Sequence, residues 1–151
     1  MVVAGAVALV VGETTGRLDD TARALGIRPH PESAASDTAL LARVATQQGV
    51  LLSLAQAAAT RHPPTADVLT SVIAAATAQL KAVGGVAPQG AGPDVGATPA
   101  AAMTALSEAF RDAADKRAGD AVKAVSPDLV RVLASMSAGL AQLATVTKAA
   151  A

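Results

Sequence analysis

Apolar residues return near the C-terminal end of this chain at alternating steps of four and three: Leu129, Leu133, Met136, Leu140, Leu143. That spacing keeps one face of a helix apolar and predicts an amphipathic α-helix. Ser126 is its expected cap and Pro127 its first residue. Asp128 in the first turn and Lys148 in the last both favour the helix dipole. Three more segments carry the same signature. The first runs from Asp37 or Thr38 to about Arg61, with Asp37 as the expected N-cap. Leu41, Val44, Leu51, Ala55 and Ala58 form its stripe, and Gln48 fills the one gap. The second, from about Thr65 to Val83, places Leu69, Val72, Ile73, Ala76, Leu80 and Val83 on one side and ends at a Gly-Gly pair. The third opens on Thr98 as N-cap with Pro99 behind it. It turns Met103, Leu106, Phe110 and Ala113 inward and reaches about Ala124, with Gly119 a weak point.

The breaks between these helices decide the topology. "RHPP" at 61–64 and the stretch before Pro127 are tight turns, so helices one and two form one antiparallel hairpin, and three and four another. "GGVAPQGAGPDVGATP" at 84–99 is rich in Gly and Pro and reads as a crossing loop. Extended at roughly 3.3 Å per residue, it can span a helix pair about 30 Å long. The expectation is an all-α, antiparallel four-helix bundle of ferritin-like topology: two helical hairpins and one long crossover. An up-down-up-down bundle with a slack loop fits the same lengths. The bundle covers residues 38–151. Residues 1–37 form an apolar N-terminal segment and a connector, broken by the prolines of "RPHPESAASD".

Composition narrows the chemistry. Of 151 residues 52% are hydrophobic, about a quarter are Ala, and Phe110 is the one aromatic, so the helices pack closely and the core is long rather than wide. Twelve basic and twelve acidic residues cancel. A nucleic-acid binder needs a basic excess and aromatic stacking platforms, so nucleic acid is excluded as a partner. Without Cys there is no disulfide and no thiolate metal site. The N-terminal run "MVVAGAVALVVG" is too short to span a bilayer. It has the length of a signal-peptide core but lacks a preceding basic residue, and "LVVGE" puts Glu13 where a lipoprotein would carry its modified Cys. A short buried helix or strand is the other reading, as is an export signal whose basic start lies upstream. Membrane association, if any, is expected through the run between Val2 and Val11.

Candidate chemistry is sparse. "FRDAADKRAGD" at 110–120 reads as a solvated face with an Asp112–Lys116 pair, ahead of a partner-binding face. Ser53, Ser71, Ser107, Ser135 and Ser137 sit in helical patterns, and neither His30 nor His62 stands in the context of a base, which argues against a hydrolase. No Gly-rich stretch follows a strand and opens a helix, so a phosphate loop is not expected. A di-iron bundle needs a Glu on each of two helices and Glu-x-x-His on each of the others. Here the second and fourth helices have neither Glu nor His, which excludes such a site. Gln48 reads as a hydrogen-bonded buried or boundary amide, or as the remnant of a ligand position.

"TPAAAMTALSEAFRDAADKRAGDAV", followed by "SPDLVRVLASMSAGLAQL", resembles the alanine-rich, ferritin-like domain proteins of unknown function in actinobacteria, many of them exported or lipid-anchored. The likeness covers the third and fourth helices well and the first two by pattern. In that family the third helix tends to carry a Glu where this chain has Phe110. The fourth tends to carry Glu-x-x-His where this chain has Leu140 and Leu143, and the first a Glu near Gln47 or Gln48. The resemblance implies that these five are degenerate ligand positions, and the departure places inherited metal chemistry in doubt. The expected protein is non-enzymatic and binds no cofactor. It serves as a structural or interaction protein of the cell envelope, exported or membrane-associated and otherwise cytoplasmic, with an unknown protein as possible partner. A carrier of a small apolar ligand or lipid in the bundle core is the alternative, and a divergent di-metal oxidase ranks last.

Overall fold

The computed structural model describes residues 31–88 and 92–151 of the protein. The apolar run between Val2 and Val11, Glu13 and His30 lie outside the described residues. The described residues hold four helices: α1 (Pro31–Arg61), α2 (Ala66–Ala82), α3 (Pro99–Lys123) and α4 (Pro127–Ala149), with a 3-10 turn at Pro63–Thr65 between the first two. They form an all-α four-helix bundle. α1 packs on α2 and α3, and α4 packs on α3 and α2.

Most of the helix boundaries follow from local chemistry. Thr98 accepts a hydrogen bond from the Ala101 N–H at 3.2 Å, and Pro99 takes the first helical position, where its missing N–H costs nothing. α2 ends where Gly84 adopts φ 70°, so the Gly84 and Gly85 N–H groups turn back onto the carbonyls of Lys81 and Leu80. Two caps differ from expectation. α1 begins at Pro31, six residues before Asp37, because a proline at a helix start begins the helix rather than breaking it. Asp37 therefore does not cap its own helix. Its carboxylate accepts the N–H groups of Val125 (3.0 Å) and Ser126 (2.7 Å), in the turn that opens α4. The Ser126 side chain makes no cap bond.

The chain directions follow from pairs of contacts. Arg43 meets Asp120, while Val125 and Ser126 meet Asp37, so α3 descends as α1 rises. Ser107 donates to the Ala144 carbonyl and Ser137 to that of Ala114, both at 2.8 Å, which runs α4 antiparallel to α3. The long connection rises along α1: Gly85 sits by Ala45, Pro88 by Gly49 and Gly92 by Ala57, Asp94 pairs with Arg61, and the Gly96 carbonyl meets His62. A Cβ at Gly92 would stand 2.6 Å from that of Ala57, so only glycine lets the loop lie this close. α3 thus starts at the same end as α2.

The core is split along its length. The larger apolar cluster holds Leu51, Ala55, Leu69, Val72, Met103, Leu106, Phe110, Leu140 and Leu143. A second holds Leu40, Val44, Val83, Leu133 and Met136 near the α3–α4 turn. Leu52, Ala76 and Leu80 make a small cluster between α1 and α2. On α1 and α3 the stretch separating the two main clusters carries polar side chains.

Candidate functional site

The polar side chains lie between the two apolar clusters. On α1 they are Gln47 and Gln48, after Val44 and before Leu51; on α3 they are Arg117 and Asp120, after Ala114 and before Ala121. Arg117 is fully buried and Asp120 nearly so. The Arg117 guanidinium donates to Asp120 Oδ2 at 2.5 Å and, through Nη2, to the side-chain oxygen of Gln47. Asp120 Oδ1 also accepts from Arg43 at 2.8 Å. On the other side of α1, the Gln48 amide donates to Gln79 of α2 at 2.9 Å. A Cβ at Gly139 of α4 would stand 2.6 Å from the Gln79 amide nitrogen, so that side chain would have to shift.

This layer is only partly satisfied. Gln48 Oε1 and Arg117 Nε are buried without a hydrogen-bond partner. Burial pulls the Arg117 guanidinium below its ordinary value, the charge and hydrogen bond of Asp120 pull it back up, and nearby Arg43 adds to the lowering. A base held below its ordinary value binds its proton less tightly folded than unfolded. Charged Arg117 is therefore a cost to the fold at neutral pH, and that cost falls only as the pH rises towards the ordinary arginine range. The arrangement joins α1 to α3 and to α2. It presents no nucleophile and no base aimed at a cavity.

The reading of 110–120 as a solvated face is corrected at two positions. Glu108, Arg111, Asp112, Asp115 and Lys116 are exposed, but Arg117 and Asp120 point inward, and the ion pairs of the cluster are theirs. The inward stripe Met103, Leu106, Phe110, Ala113 continues at the same alternating steps to Arg117 and Asp120. That periodicity was a signal for both residues; charge overrode it. Gln48 is the buried amide of the sequence reading, bonded through its nitrogen alone.

The five proposed degenerate ligand positions separate into two groups. Phe110, Leu140 and Leu143 meet in the larger apolar cluster, whereas Gln47 and Gln48 belong to the polar layer and are held by Arg117 and Gln79. Among the described residues no group of three or more His, Cys, Asp or Glu could hold a metal ion. His62 is buried in the α1–α2 turn with Nε2 3.2 Å from the Gly96 carbonyl, to which it donates. Ser107 and Ser137 spend their hydroxyls on the backbone between α3 and α4.

Two grooves lie outside the four-helix core. One, of about 440 Å³, runs between α1 and the crossing loop past Gln56, Thr60 and Arg61. The other, of about 330 Å³, lies at the far end of α3 and α4 beside Glu108, Arg111 and Lys148. The first mixes its polar side chains with Ala57, Pro88, Pro93 and Val95, and the second is lined mainly by polar side chains. One helix among the described residues, α4, is long and apolar enough to cross a membrane by length and composition, with a mean hydropathy of 1.5 over its most apolar window. No family model, no curated protein and no solved structure matches the chain.

Proposed function

We propose that the chain is a ferritin-like bundle that has exchanged a metal centre for an apolar core, and that it works as a non-catalytic structural or interaction protein of an actinobacterial cell envelope. The observation that carries this reading is the meeting of Phe110, Leu140 and Leu143 in one buried apolar cluster. The i, i+3 pair that points Glu and His inward in a metal bundle here sets two leucines in the same cluster as Phe110. Without a metal to neutralise them, charges at that depth cost several kcal/mol each, so the apolar exchange favours the fold. A crossover that rises along the second half of α1, so that α3 starts at the same end as α2, supports the ferritin-like reading over a simple up-down-up-down bundle.

The envelope assignment rests on the family resemblance, and the apolarity of α4 supports it. Cell fractionation tests it: the chain is expected with the envelope, and recovery wholly in the cytosolic fraction would overturn that part. The non-catalytic reading is tested by loading. Incubated with ferrous iron in air, the full chain is expected to leave the rate of iron oxidation at the buffer value; acceleration that saturates with iron would contradict it.

A further inference from the structure

We propose that the outer face of α2 is a self-association surface, on which a second copy of this chain packs antiparallel about a two-fold axis at Ala74. Asp67, Thr70, Ala74, Ala78 and Lys81 share one exposed stripe of the helix, at steps of three, four, four and three. The stripe is palindromic about Ala74. A small residue lies on each side, and at the ends stand an acid and a base, roughly 21 Å apart. A two-fold axis through Ala74, perpendicular to the helix, lays Asp67 of each copy on Lys81 of the other. It makes an isologous contact, the commonest kind in homodimers. Among the described residues neither Asp67 nor Lys81 has an ion-pair partner in its own chain. Between them α2 carries no charge, so no like charges are forced together. Ala74 at the crossing lets the two axes approach near the lower limit of helix packing, about 8 Å.

The neighbouring helix, which meets α2 at Gln79, is also uncharged and widely exposed. α4 carries no charged residue from 132 to 147, and only 28% of its most apolar window is buried in the bundle. Ser135, Ala138 and Gln142 are exposed beside Gly139, which packs on Gln79 of α2. A bilayer surface fits less well. Helices that lie in membranes present Leu, Phe or Trp flanked by many cations, and this face presents Ala, Ser and Thr. The inference gives the interaction role proposed above a first partner and rests on that reading only there; metal loading and self-association fail separately.

Sedimentation velocity on the full chain, from low micromolar to several hundred micromolar, tests it. The expected result is a monomer–dimer equilibrium in which Lys81→Asp or Asp67→Lys alone weakens the dimer about tenfold, because two attractive pairs become repulsive. The double variant restores it, and Ala74→Glu abolishes it; circular dichroism at each step verifies that the bundle is intact. A wild type that stays monomeric at several hundred micromolar would overturn the proposal. So would a double variant no tighter than the singles, or a monomer that floats with phosphatidylcholine vesicles.

Discussion

Arg117 and Gln48 are the residues whose burial asks most of the fold. Removing the side chain of Arg117 takes a partner from Asp120 and from Gln47 and leaves a void in a close-packed layer. Arg43 still neutralises Asp120, so the loss falls below that of a fully stranded charge. Arg117→Ala should destabilise the protein by about 2–4 kcal/mol in urea unfolding, and Arg117→Met by about half as much, because it refills the space without a buried charge. The Gln48–Gln79 pair predicts the opposite sign. Gln48 leaves a buried oxygen without a partner, so replacing both amides with Met removes a desolvation cost along with a single hydrogen bond. Gln48→Met with Gln79→Met should leave stability unchanged or raise it by about 1 kcal/mol, whereas Gln48→Ala alone should lower it by about 2 kcal/mol.

At the scale of the elements, the joints hold more information than the helices. Asp37 on α1 accepts two backbone N–H groups at the start of α4, an interhelical cap that ties the first helix to the last turn of the chain. Asp37→Ala should cost about 1–2 kcal/mol, with Asn restoring part of it, as read by thermal unfolding. The crossing loop gives a second joint. Gly92→Ala sets a methyl group against Ala57 and should lift the loop from α1 at a cost of about 1–3 kcal/mol. Gly119→Ala, where a Cβ meets nothing within 4 Å, should stabilise α3 by about 0.5–1 kcal/mol.

These joints mark the limit of what the sequence discloses. The stripes of α2, α3 and α4 were legible because apolar periodicity and N-terminal prolines are local signals. The Leu133 and Leu140 faces and the Thr98 cap are where that reasoning puts them. Asp37 reads locally as a cap for its own helix; its real partners lie 88 and 89 residues away, and no local pattern encodes them. Gln79 was illegible for the same reason, since only the approach of α1 gives its amide a partner. Arg117 and Asp120 were within reach. They continue the inward period of α3, and the assumption that charge means solvent hid them.

For the whole molecule, the polar layer divides one long core into two. An apolar bundle rich in alanine has many near-equivalent ways for its helices to slide past one another, because small side chains interlock weakly. Fixed hydrogen bonds from α1 to α2 and from α1 to α3 penalise such slips, so the layer trades stability for a single register. The variant with Arg117 and both amides made apolar should accordingly keep its helix content while losing sharpness in its amide NMR spectrum, as bundles with uniform cores do.

On α3 and α4 the positions proposed to descend from metal ligands, Phe110, Leu140 and Leu143, lie in an apolar core. Elemental analysis of the full chain, purified without chelator from cells grown with iron and manganese and then challenged with an excess of either ion, tests it most directly. Bound metal is expected far below one ion per chain. Stoichiometric iron or manganese that survives gel filtration would contradict it.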